Sequence, residues 1–131
     1  MTTLDQTTHD QTTRAELVNR AKALQPLLRE HVKEGEVLRR LPDAVVEALT
    51  EAGFYRLLVP RRFGGYEAEV RTIVEITETL AEADASAAWT IGVTTTGAWC
   101  AGQLPDRGQR EIFGTDSDTR IAGSATPVEA Q

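Results

Sequence analysis

The chain has 131 residues, 14 Lys+Arg against 20 Asp+Glu (net charge −6), 40% hydrophobic and 26% charged residues. This fits one ordinary globular domain, and the acidic balance excludes a sequence-independent grip on nucleic acid or an anionic membrane, which needs a cationic face. A single cysteine, Cys100, excludes an internal disulfide, and the two histidines, His9 and His31, have no zinc-ligand spacing, so no metal is expected. Without a charged-then-apolar leader at the N-terminus, the expected compartment is the cytoplasm.

Residues 1–12 are polar, Thr-rich and without period, and read as a disordered lead-in. Thr13-Arg14-Ala15-Glu16 has capping-box spacing, and Leu17, Ala21, Leu24, Leu27, Leu28 and Val32 then recur as one apolar helical stripe, which Pro26 should kink or split. Leu41-Pro42-Asp43 opens a second helix carrying Ala44, Val45, Ala48, Leu49 and Ala52, closed by Gly53. Phe54–Pro60 reads as an extended connector packed on the core, followed by a tight turn at Gly64-Gly65. Val70, Ile73, Val74, Thr77, Leu80 and Ala81 make a third helix that breaks near Asp84.

From Ala85 to Pro105 there is no charge at all. The length suits a membrane span, but four threonines, a serine, a glutamine and three glycines leave too little large apolar surface. A helix of small residues uncharged on every side is expected to be buried on every side. Asp106 should cap a short helix to Phe113 that stops at Gly114, and Arg120-Ile121-Ala122 turns toward strand character.

The string LRRLPDAVVEALTEAGFYRLLVPRRFGGYE resembles the N-terminal helical domain of the acyl-CoA dehydrogenase superfamily, with its Leu-Pro helix, AGF turn, VP connector and GG loop in that order. The segments SAAWTIGVTTTGAWC and REIFGTDSDTRIAGSATP are similar to one branch, the two-component flavin-dependent monooxygenases. The resemblance implies an all-α fold with a disordered tail over 1–12, a helical domain over 13–118 and the start of a middle β domain over 119–131. Family members are roughly three times longer and continue with a β-barrel and a C-terminal helical bundle, so the sequence is a fragment or a natural truncation.

It further implies reduced FMN or FAD supplied by a separate flavin reductase, oxygenation of a small aromatic, polyketide or amino-sugar substrate with O2, and a homotetramer. Trp89 falls where that branch places an aromatic beside flavin and substrate, although a helical tryptophan is more commonly core. Val93, Thr96 and Gly97 follow on the same helix as substrate-pocket candidates. Phenol-hydroxylating relatives carry a histidine where this chain has Gly97, and an imidazole there can deprotonate a phenol; a glycine leaves room for a bulkier substrate. Ser124, otherwise a strand-end serine, is the second cofactor-side candidate. Cys100 reads as a small buried hydrophobe, Arg61-Arg62 as a solvated pair and His31 as exposed. The catalytic residues are not assigned. An acyl-CoA dehydrogenase, and a non-catalytic helical module, are the alternatives.

Overall fold

A computed structural model describes residues 2–124 and residue 126, with side chains from residue 13 onward. It contains five helices, α1 (Thr2–Leu38), α2 (Asp43–Glu51), α3 (Val70–Ala81), α4 (Ala85–Ala101) and α5 (Asp106–Phe113), and two single 3₁₀ turns at Phe54–Arg56 and Arg61–Phe63. No strand occurs among the described residues, so the fold is all-α. Helix α3 lies between α1 and α4, the Phe54 turn joins α2 to α4, and α5 packs on the end of α4.

Periodicity explains the main core. Leu17, Ala21 and Leu28 of α1 meet Val45 and Leu49 of α2, Ile76 and Leu80 of α3, and Ala87, Ala88 and Ile91 of α4, around Phe54, Tyr55 and Leu57. Val59, Ala98, Ala101 and Phe113 form a smaller cluster that Phe63, Ile112 and Ile121 close. Arg20 ties three elements together: its Nη1 donates to the Ala52 carbonyl (3.2 Å) and the Tyr66 hydroxyl (3.0 Å), and its Nη2 pairs with Glu16.

Several expectations are corrected here. Helix α1 starts at Thr2 rather than after residue 12, and Thr13 lies inside it, not at its cap; extending a formed helix costs far less than nucleating one. It also runs through Pro26 without splitting. Leu24 and Leu27 pack on the core and Leu28 is fully buried, so apolar contact on both sides of the proline outweighs the lost hydrogen bond. The Phe54–Pro60 connector is not extended but coiled into a 3₁₀ turn, which buries Phe54, Tyr55, Leu57 and Val59 together.

Gly53 behaves as expected, ending α2 at φ +81°, where a side chain would meet the Tyr66 ring. Asp106 does not cap its helix, which begins after Pro105 with no side-chain cap. Its carboxylate instead accepts from Arg110 (2.7 Å) and from Arg62, which together hold that carboxyl below the usual range. Arg120–Ser124 forms no strand, because no second strand lies beside it among the described residues.

Candidate functional site

Helix α4 starts cleanly because the Asp84 carboxylate accepts the Ser86 backbone N–H at 2.9 Å. Its inner face is buried through Ala87, Ala88, Ile91, Thr95, Ala98 and Ala101. The outer face is not. Trp89 is 75% exposed and Trp99 53%, with Val93, Thr96 and Cys100 also open to solvent. The expectation of a helix buried all round is therefore corrected, and Cys100 is an exposed free thiol rather than a buried hydrophobe. Small uncharged residues fit a packed core and an open apolar face equally well, so composition does not separate the two.

The open face has a shape. Ala85, Ala88, Trp89, Gly92, Val93 and Thr96 of α4 form one wall of a groove of about 550 Å³, and Thr77, Glu78 and Ala81 of α3 form the other. Glu78 is the one charged residue in that lining. Trp89 is shared with a second groove, bounded by Glu36, Arg39 and Arg40 at the end of α1, so its indole stands as a ridge between an apolar and a charged channel. The threonines do not make the apolar side wet. Thr90 donates to the Ser86 carbonyl (2.8 Å), Thr94 to Thr90 (2.8 Å) and Thr96 to Gly92 (2.9 Å), which turns their hydroxyls back onto the helix.

Of the five residues singled out in the sequence, the structure brings Trp89, Val93 and Thr96 into the one groove and leaves Gly97 and Ser124 outside its lining. Gly97 does not open into space. A Cβ built there stands 2.5 Å from the Ile121 carbonyl oxygen and 3.0 Å from the Ile121 Cβ, so the room expected for a bulky substrate holds the chain's own backbone. Ser124 is exposed, its Oγ accepting the Thr126 backbone N–H at 3.2 Å. The α3 wall was missed in the sequence, where Thr77 and Ala81 were counted with the inward stripe; Thr77 is half-buried and Ala81 exposed, and both face the groove.

Other candidates have structural partners. Arg62 pairs with Asp106, donates to Gln109 (2.8 Å) and lies 4.5 Å over the Phe63 ring, and the Arg61 N–H donates to Glu67 (2.7 Å), so the pair is built into the loop. His31 is half-buried rather than exposed, with Nδ1 2.7 Å from a Glu34 oxygen. Among the described residues no cluster of His, Cys, Asp or Glu could hold a metal, and no helix is long and apolar enough to cross a membrane.

Residues 8–112 match the family model described as acyl-CoA dehydrogenase, N-terminal domain. The chain belongs to that family. Within it, this acyl-CoA dehydrogenase N-terminal domain is similar to HsaA, the oxygenase subunit of a flavin-dependent monooxygenase from Rhodococcus jostii (strain RHA1), at 36% identity over 113 residues, or 86% of this chain and 30% of that protein. The oxygenase component of an FADH2-dependent resorcinol hydroxylase from Rhizobium sp. (strain MTP-10005) is 30% identical over 86% of this chain and 28% of its own length. The solved structure of XiaF from Streptomyces sp., in complex with FADH2 and glycerol, superposes with a TM-score of 0.85 at 31% identity, over 88% of this chain and 29% of that one. The domain thus spans about three-tenths of the length of these relatives.

Proposed function

We propose that this chain is the N-terminal helical domain of the oxygenase component of a two-component flavin-dependent monooxygenase that acts on a small aromatic substrate. The observation that carries the reading is the outward-facing Trp89 beside a groove with a single charged residue, on a domain whose relatives bear flavin-monooxygenase names. Together with the apolar groove at its side, this exposed indole makes an open apolar surface that a flat apolar group would cover. A flavin ring or an aromatic substrate fits such a wall: Gly92, on the groove, leaves open space where a side chain would stand, so a planar group can lie close to the helix.

Reduced flavin, when bound, supplies the electrons with which O2 is activated to oxygenate the substrate. The chain's own residues shape and dry the site. Trp89 and Val93 present hydrocarbon to whatever covers them, and Thr96, its hydroxyl turned onto Gly92, presents a methyl group. Water excluded by such a wall cannot divert the oxygen-transfer step. No imidazole stands at position 97, so this face offers a phenol no base there. A flavin reductase as electron source, a homotetramer and a cytoplasmic setting belong to the same reading. FMN and FAD both fit it, with FADH2 in the names of two relatives favouring FAD.

The test is Trp89→Ala in the intact protein, read as the ratio of oxygenated product to hydrogen peroxide released. The reading expects that ratio to fall while reduced flavin is still consumed; an unchanged ratio refutes it. Dehydrogenation of an acyl thioester by the wild-type protein, with no dependence on a reductase, would place the chain with the dehydrogenases instead.

A further inference from the structure

The segment after α5 is irregular, yet it is fastened at every turn. The Ser117 hydroxyl donates to the Phe63 carbonyl, Asp118 pairs with Arg56 at 2.9 Å, and the Thr119 hydroxyl donates to the Ile112 carbonyl at 3.3 Å. The Arg120 guanidinium lies 5.4 Å over the Tyr55 ring, and Ile121 closes the Val59–Phe113 cluster. These anchors belong to the Phe54–Phe63 connector and α5. The Ile121 side chain also packs against the cluster that holds Ala98 and Ala101 of α4, and at Gly97 the Ile121 backbone crosses the helix at a distance that no side chain at 97 permits.

We propose that Gly97 is a positioning residue: a notch on α4 that seats the Ile121 backbone and so fixes the path of the chain toward Ser124. Two observations set it apart from the neighbouring glycine. A Cβ at Gly92, one turn and a half earlier on the same helix, meets nothing within 4 Å. A Cβ at Gly97 meets backbone, which cannot swing aside as the tip of a flexible side chain can. Any residue other than glycine at 97 therefore lifts the strap or pushes α4 from it. Because Trp89, Val93 and Thr96 sit on the same helix, the notch also sets the distance between that groove and the departing chain. What the strap positions, a flavin-side segment, rests on the function proposed above; the seat itself does not.

The experiment uses the intact protein and limited trypsin digestion, with the cut at the Arg120–Ile121 bond followed by mass spectrometry; Ile121 is half-buried on the strap, so that bond is cut faster when the strap loosens. Gly97→Ala is expected to speed that cleavage about tenfold or more, as local opening becomes easier, while Gly92→Ala, which makes the same helix change, leaves it as in the wild type. Should Gly97→Ala fail to fold, Asp118→Ala, which loosens the strap at its Arg56 anchor without touching α4, is expected to give the same acceleration. The second readout is the product-to-peroxide ratio at a temperature well below each variant's Tm, expected to fall in Gly97→Ala. Cleavage no faster than in Gly92→Ala overturns the seat. Faster cleavage with an unchanged ratio overturns the positioning role and leaves a purely structural glycine. A wild-type protein that forms no product refutes the functional reading alone, and the cleavage arm then decides the seat by itself.

Discussion

Replacing Trp89 by alanine separates an open wall from a core residue by magnitude. A buried tryptophan truncated to alanine costs about 3–5 kcal/mol. Here 75% of the residue is solvent-exposed, so only a quarter of its surface is at stake. Taking roughly 250 Å² for a fully buried indole side chain, that quarter is about 60 Å², worth about 1.5 kcal/mol at ~25 cal/mol per Å². Alanine returns up to about 0.7 kcal/mol through its better helix propensity at a mid-helix position. The expected net loss is therefore about 1 kcal/mol. Urea unfolding of the 131-residue chain, followed by circular dichroism of the helices, measures it directly, with the m-value reporting whether the same surface unfolds. A loss above about 3 kcal/mol at unchanged m would show that the indole is core, and the groove wall described here would be refuted.

Other substitutions test the interior. Thr95 is buried with no partner for its hydroxyl among the described residues, so Thr95→Val is expected to stabilise by about 1 kcal/mol, seen as a higher Tm; a lower Tm would reveal a partner for that hydroxyl. Gly53→Ala forces a side chain into left-handed backbone and onto Tyr66, and should cost about 2 kcal/mol or more in chemical denaturation. The Tyr55 hydroxyl is buried without a hydrogen bond of good geometry among the described residues, and the Arg120 guanidinium lies close by, 5.4 Å from its ring centre. Burial pushes its phenol above the ordinary tyrosine range, with Arg120 opposing in part. A raised native pKa gives stability that is complete below the ordinary phenol pKa and is lost as pH rises through the native one. Melting scans between about pH 8 and pH 11 should show an alkaline loss that is smaller in Tyr55→Phe than in the wild type; equal losses would exclude Tyr55 as the group responsible.

Helices with one apolar stripe were legible because burial on one side leaves a period in the sequence. Leu17, Ala21 and Leu28 of α1 show it, all expected inside and all buried, whereas on α3 only Leu80 of the expected stripe is fully buried: Thr72 and Ile76 take the inner positions, and Val70 and Val74 are exposed. The failure at α4 is of a different kind. Its inner face (Ala87, Ile91, Ala98) and its outer face (Trp89, Val93) are both uncharged, and periodicity vanishes when both sides are apolar. The site was half legible. The family resemblance pointed to Trp89 and helical spacing from it to Val93 and Thr96, whereas the opposite wall comes from α3 and the occupant of Gly97 from Ile121, 24 positions away. Contacts between elements leave no period to read. The passage of α1 through Pro26 was hidden by the reverse: a strong local rule overruled by packing that only the assembled core supplies.

The back-bonded threonines of α4 give that helix two characters at two times in its life. While the chain is unfolded, as during synthesis, the hydroxyls of Thr90, Thr94 and Thr96 are free to bind water, and the stretch is a poor seed for aggregation despite carrying no charge. Once the helix forms, each hydroxyl donates its proton to a carbonyl four residues back and no longer offers it to water. The same side chains that offer donors to water in the nascent segment thus turn them onto the helix once it is formed, a change that valine at those positions would not provide.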